Sequence, residues 1–414
     1  MRITSIVCAP GVGGFFYDDQ LAVRRGTERD GEWYEGPPIT EGFASVRMPA
    51  ASLGLGLVPE DDTVHWGDAM SVQYAGVAGR DAPFSPASYA RPLVDDWFPK
   101  IRGRDASGFR ETAQAACAAL RELGLAHTAL EYGLTQALLG AAAHSQKSTV
   151  TEVVCQEYGL ALHPEAVPLF TQSGERRREN VDKMVMKQVE ALPHGLISSP
   201  EHFGVDGETF LEYVRWVRTR VKELGSMGYD PVLHFDVYGL PGQVFDGSLK
   251  RISAFLEEVA EAASPHRLRI ESPLICATRA EQIEAFSTLR ELLAEAGVAV
   301  GIVADEWCNT LEDINAFVSA EACDMVQVKA PDLGSLEHTI RGVIRCKEAG
   351  VGAYLGGSCT ETEVSARVCA RVAIATQPDV ILAKPGMGVD EGITVVRNEQ
   401  ARALAEISLR PSGR

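Results

Sequence analysis

The sequence predicts a TIM-type (β/α) barrel preceded by an N-terminal α+β capping domain. Three observations carry that expectation. From residue 167 onward, short apolar strands alternate with helical stretches, the pattern of repeated βα units in a parallel sheet. Four consecutive strands of that series end in a charged residue, in the order acid, acid, acid, lysine: 232–236 in Asp236, 268–271 in Glu271, 300–305 in Asp305 and 325–329 in Lys329. Residues 1–160 lack this alternation and read as strands followed by helices. The expected domains are 1–160 for the cap and 161–414 for the barrel.

The elements follow in chain order. A strand at 3–8 leads into glycine-rich loops through Gly14 and Gly36, with strand-like pieces at 43–47 and 63–66. Ala-rich helical patterns occupy 111–123 and 127–144, and a short helix fits 151–158. The barrel series opens with a strand at 167–171, an amphipathic helix at 180–191 and a short segment around His194. A helix at 208–224 places Phe210, Val214, Val217 and Val221 on one face. The four strands with charged ends then alternate with helices at 247–263, 279–296, 311–321 and 335–349. Stretches 352–357 and 380–384 close the series, with a helix at 362–375 between them. Gly225, Gly297 and Gly350 stand where helix C-termini favour glycine. Roughly seven or eight βα units result, the number a TIM barrel needs. A doubly wound open sheet is the alternative, but it would not bring so many strand ends onto one site.

Bulk properties bound the function. The 414-residue chain is 45% hydrophobic and 23% charged, as in ordinary soluble globular proteins. Its net charge of −18 argues against nucleic acid or an anionic membrane as main partner, but leaves an anionic substrate open. The 9 cysteines are odd in number and scattered, with no CxxC, which favours a reduced cytoplasmic compartment over a disulfide framework. The N-terminus has no signal-like apolar run, and no stretch approaches a transmembrane span.

In a closed barrel, successive strand ends open on one face. Three carboxylates there, without a Cys/His cluster, favour Mg²⁺ or Mn²⁺ over Zn²⁺. Such an ion can hold a substrate carboxylate and neutralise the ene-diolate formed when the adjacent C–H loses its proton. Lys329 is the candidate base. It must be neutral to act, a form favoured by burial and a neighbouring cation. The other use of Lys329 is a salt bridge to Asp332 or to one of the acids. Any single acid at a strand end serves equally as a helix cap; three in successive repeats followed by a lysine point to a site. His194 alone reads as a packed or capped histidine. Gln172 and Gln327 read equally as interior amides satisfying backbone groups. Gln327 lies two residues before Lys329 and shares its strand face. Cys359 reads as a core thiol.

The surrounding strings resemble one family closely. They are FYDDQ at 16–20, VQYAG at 72–76, QSG at 172–174, NVDKM at 180–184, LPH at 192–194, HFDVYG at 234–239, ADEWCNT at 304–310, VQVKAPDLG at 326–334 and LAKPGMGVDEG at 382–392. Within the enolase superfamily, they are similar to methylaspartate ammonia-lyase (3-methylaspartase) over nearly the whole chain. The resemblance implies reversible elimination of ammonia from (2S,3S)-3-methylaspartate to give mesaconate. It implies Mg²⁺ on Asp236, Glu271 and Asp305, and Lys329 as the base at C3. His194 would serve the other C3 configuration or assist departure of the amine. Gln172 and Gln327 would bond substrate carboxylates, Ser358 and Cys359 would touch the second carboxylate, and Gln73 and Leu382 would shape the pocket around the methyl group. A homodimer and activation by a monovalent cation such as K⁺ are also implied. One departure stands out: Ser358 occupies a position where the family pattern has Thr, which keeps the hydroxyl and loses a methyl. Another enolase-superfamily dehydratase or lactonising enzyme is the competing function, and a non-catalytic barrel that binds Mg²⁺ or a dicarboxylate is a second.

Overall fold

The computed structural model describes residues 1–409. A three-stranded antiparallel sheet forms the heart of the N-terminal part: β1 (Ile3–Asp18) pairs with β4 (Arg47–Pro59), and β4 with β5 (His65–Ala69). A small ribbon of β2 (Arg29–Asp30) and β3 (Trp33–Tyr34) stands apart. Helices Phe109–Glu122, Thr128–Ser145 and Val150–Tyr158 follow in the same part of the chain. Helix Thr128–Ser145 is apolar almost all round and buried along most of its length. Gly67 and Gly133 let it approach β5: a Cβ on Gly133 would come within 2.7 Å of the Ala69 nitrogen.

The remainder closes into a barrel of eight parallel strands in sequential order. They are β6 (Leu169–Phe170), β7 (Ala191–His194), β8 (Val232–Asp236), β9 (Leu268–Glu271), β10 (Val300–Ala304), β11 (Met325–Val328), β12 (Gly352–Leu355) and β13 (Val380–Leu382). The first and last strands meet through Ile381 opposite Leu169 and Leu382 opposite Phe170. Phe170, Ala191, Val232, Val303, Met325, Tyr354, Val380 and Leu382 pack together as a buried apolar cluster of barrel-strand side chains. Strands this short are held by burial on both faces, the helices supplying the outer layer.

The structure departs from the sequence reading in identifiable places. β1 runs on through Gly11, Gly13 and Gly14, which were expected in a loop. The glycines are there because the strand passes close over another backbone: a Cβ on Gly13 would come within 2.5 Å of the Thr360 carbonyl oxygen. Residues 43–46 are irregular, ending in a bend, and the strand begins at Arg47. The helix expected over 180–191 is Arg177–Met186, and Ala191–His194 is a barrel strand. Of the three expected glycine C-termini, Gly297 and Gly350 are left-handed (φ 70° in both), whereas Gly225 is extended with φ −68°. All nine cysteines are free thiols. No helix among the described residues is long and apolar enough to cross a membrane.

Candidate active site

The acids and the lysine of the sequence pattern meet at the C-terminal mouth of the barrel. Asp236 and Glu271 are the last residues of β8 and β9, and they lie opposite each other in the parallel register. Asp305 and Lys329 each follow directly on their strands, β10 and β11. A cavity of about 50 Å³ is lined by Gln73, Gln172, His194, Asp236, Asp305, Gln327, Lys329, Ser358, Cys359 and Leu382. Glu271 lies beneath it and is fully buried. Cap and barrel therefore build one site.

The electrostatics divide the carboxylates into two kinds. Asp305 is in ion-pair contact with Lys329 at 2.7 Å and with Arg80 at 3.2 Å. Burial opposes its charge, but these two cations outweigh burial and hold its carboxyl below the usual range. Asp236 and Glu271 have no such cation in contact. Burial, then the neighbouring carboxylates, push both well above the ordinary carboxylate range. Asp236 accepts a bond from the Tyr238 backbone N–H at 3.0 Å. Glu271 accepts from Gln327 Nε2 at 2.6 Å and pairs with His234 Nε2 at 2.9 Å.

Lys329 makes the ion pair with one of the acids that was its other expected use. Burial favours its neutral form, but the Asp305 contact outweighs burial and the adjacent Arg80, so its pKa lies above the ordinary lysine value. Its amine is therefore a cation in this arrangement. Asp332, the other expected partner, is taken by Arg80 Nε at 2.7 Å.

His194 ends β7 in a left-handed conformation, φ 62°. Its Nε2 lies 3.6 Å from Asp236 Oδ2, its Nδ1 is buried without a partner, and its ring stacks on Phe170. Burial first, then the charge of Lys329, lowers its pKa to about 4, so the imidazole is neutral near pH 7. His194, Asp236 and Glu271 bring their ligand atoms within 4.8 Å of one another. Asp305 lies outside that trio, engaged by its two cations.

The remaining expected residues are all present. Gln327 leaves its amide oxygen buried and unpartnered. Gln172 donates to the Gly386 carbonyl at 3.1 Å. Gln73 reaches in from the cap: its Nε2 donates to Asp18, and its Oε1 accepts from Cys359 Sγ at 3.3 Å. Its backbone N–H donates to Ser358 Oγ at 3.0 Å. Burial pushes the Cys359 thiol well up, which fits the reading of an unreactive thiol. Leu382 is buried at the end of β13.

Sequence reasoning missed Arg80, Glu306, His234, Tyr74 and Tyr238. Glu306 directly follows Asp305 and bonds Ser272 Oγ, so adjacency to an expected ligand was its available signal. Arg80 arrives from a cap loop turned at Gly76 and Gly79, both at positive φ, and no periodicity marks it.

The residues present fit a hard divalent cation. Two carboxylates destabilised by burial, the unpartnered Gln327 oxygen beside Glu271 and an oxygen-rich donor set form a cavity that a cation would neutralise. A parallel barrel with acids on consecutive strand ends, a lysine on the next and an α+β cap above is an enolase-superfamily architecture. At the level of fold alone, it is shared by muconate lactonizing enzyme of Pseudomonas fluorescens, 17% identical with a TM-score of 0.61 over 95% of this chain and 88% of that one. Residues 1–159 match the family described as Methylaspartate ammonia-lyase N-terminus, and residues 161–409 the one described as Methylaspartate ammonia-lyase C-terminus. The chain belongs to the methylaspartate ammonia-lyase family of enzymes. Methylaspartate ammonia-lyase 1 of Carboxydothermus hydrogenoformans is 46% identical, with 98% of this chain and 97% of the relative covered. The methylaspartate ammonia lyase of Citrobacter amalonaticus, solved containing (2S,3S)-3-methylaspartic acid, is 42% identical with a TM-score of 0.96 over 99% of this chain and 100% of that one. The Mg complex of beta-methylaspartase from Clostridium tetanomorphum is 42% identical with a TM-score of 0.91 over the same shares.

Proposed function

We propose that the protein eliminates ammonia from (2S,3S)-3-methylaspartate to give mesaconate. The observation that carries this reading is the opposition of Lys329 and His194 across a small cavity floored by buried carboxylates, in a chain of this family. Asp236, Glu271 and Asp305 would hold Mg²⁺, or Mn²⁺, with Glu271 oriented by Gln327 and His234. When bound, the ion supplies a counter-charge for the buried acids and stabilises the negative charge that develops on the substrate carboxylate next to C3.

The chain's own groups do the rest. Lys329 removes the C3 proton, which requires that Asp305 no longer hold the amine as a cation. His194, neutral near pH 7, can take a proton on the opposite side or give one to the departing amine once charged. Gln172 and Gln327 bond substrate carboxylates, Ser358 and Cys359 meet the carboxylate remote from the acids, and Gln73 and Leu382 bound the methyl group. The cap excludes water from these groups, which strengthens each interaction.

Purified protein with 3-methylaspartate and Mg²⁺, followed for mesaconate absorbance and ammonia release with and without EDTA, tests the reading. Turnover of a sugar acid in place of methylaspartate would overturn it in favour of a dehydratase. A cytoplasmic homodimer, cap and barrel domains at 1–160 and 161–414, and activation by K⁺ belong to the same proposal. Sedimentation, limited proteolysis and assays in K⁺ against a bulky organic cation test them.

A further inference from the structure

Behind the Ser358–Cys359 turn lies a buried charged cluster that the reaction itself does not use. Lys384 and Glu361 are both fully buried and pair at 2.8 Å. The Lys384 amine also donates to the Gly356 carbonyl at 3.1 Å and to Cys369 Sγ at 3.3 Å, so its three hydrogens are all placed. On Glu361, Oε2 accepts the Ser358 backbone N–H at 3.0 Å, and Oε1 accepts the Tyr132 hydroxyl at 2.6 Å. Tyr132 comes from the cap helix Thr128–Ser145, Lys384 stands two residues past the end of β13, and the turn itself follows β12.

A buried ion pair is a poor way to gain stability, because desolvation cancels most of its attraction, and apolar residues of similar volume do as well. What apolar side chains cannot do is hold the polar backbone of a turn. Here each charged atom is bound to the segment 356–358 or to the group that orients its partner. Gly357 packs so tightly on the pair that a Cβ would collide with both Glu361 and Lys384. From the other side, Ser358 Oγ is fixed by the Gln73 backbone N–H and by the Thr360 hydroxyl at 3.0 Å each.

We propose that Glu361, Lys384 and Tyr132 are positioning residues for the substrate's second carboxylate: they lock the 356–359 turn so that Ser358 and Cys359 face the cavity. The inference rests on the reading of that turn as a carboxylate-binding segment. It assigns the cluster to substrate affinity, not to proton transfer or metal binding, since the acids and Lys329 lie on other strands.

The test compares three variants by KM, kcat and Mg²⁺ affinity from calorimetric titration. Glu361→Gln with Lys384→Met removes both charges at similar volume, and Tyr132→Phe removes a single hydroxyl should the double variant fail to fold. Both should raise KM for 3-methylaspartate, the double variant by about tenfold, the size of one lost oriented hydrogen bond. Mg²⁺ affinity should stay at the wild-type value and kcat should fall less than KM rises. Folded variants with wild-type KM, or loss of kcat and Mg²⁺ affinity in step with KM, overturn the positioning role. Ser358→Ala separates the underlying reading: if it leaves KM unchanged, the turn does not bind the carboxylate and the inference falls with it.

Discussion

Lys329 sets the chemistry at the residue scale, and its neighbours set Lys329. An amine held as a cation by Asp305 is a poor base, so anything that occupies Asp305 frees Lys329 to act. Lys329→Ala should cost about 10²–10⁴-fold in kcat on the (2S,3S) substrate, the usual worth of a general base, while calorimetric Mg²⁺ affinity stays within a few-fold. Near-wild-type turnover would remove Lys329 from the base role. His194→Ala should harm the (2S,3R) diastereomer selectively; equal losses on both would show that it serves neither face in particular. Asp236→Asn should sharply weaken the metal dependence of turnover, and an unchanged Mg²⁺ activation curve would take Asp236 out of the ligand set. The acids and Lys329 were legible because they recur once per βα unit. His194 was not legible from spacing, because a lone histidine just past the expected 180–191 helix reads as packed or capped; only the LPH string pointed to it. Arg80 and Glu361 carry no periodic signal: they matter through contacts far along the chain, Arg80 with Asp305 and Asp332, and Glu361 with Tyr132.

Helix Thr128–Ser145 brings Tyr132 to the site, and its start depends on His127. The His127 Nδ1 accepts the Ala129 N–H at 3.1 Å as an N-cap, while Nε2 faces the Ala82 carbonyl at 3.2 Å. One neutral tautomer satisfies both, with the proton on Nε2. Burial lowers the pKa of His127, with Asp81 opposing. The folded value thus lies below the unfolded one, so the folded state binds fewer protons and stability falls as pH drops below about 6.5. His127→Asn retains a capping acceptor without a titrating ring. Its melting temperature should fall less than that of the wild type between pH 6.5 and 5. Parallel melting curves against pH would remove His127 as a source of acid sensitivity. At this scale the long helices were readable to within a few residues from apolar spacing. The first residues of β1 were read as a strand at 3–8, but its continuation to Asp18 was hidden, because Gly13 answers to the Thr360 backbone and not to any local turn.

At the scale of the whole molecule, the buried carboxyls Asp236 and Glu271 bear on stability. Asp236 and Glu271 are fully buried without a cation in contact, so chelation should be felt in stability as well as in activity. Saturating Mg²⁺ at about a hundred times its dissociation constant should stabilise the fold by roughly 2.7 kcal/mol if it binds only the native state. Differential scanning calorimetry with Mg²⁺ and with EDTA measures this; coincident melting curves would show that the acids hold no ion. The barrel and its cap were predictable as a class because alternation and spacing are long-range regularities. How the cap meets the barrel was legible only at Gln73, through the family resemblance; Arg80 enters the cavity, and Tyr132 reaches Glu361 behind it, through folding of the cap itself.

The junction of β13 with β6 has a kinetic consequence. Sequential pairing lets each new strand add to its predecessor over a short stretch of chain, except at this last seam. There, even the supporting bond from Gln172 to Gly386 joins residues 214 apart. Closing so long a loop carries the largest entropic cost of any strand pairing in the barrel, so the seam should form last during folding. Gln172, Leu382 and the 356–359 turn lie beside it. The cavity should therefore be among the final features of the molecule to take shape, and recovery of activity on refolding should trail recovery of helix.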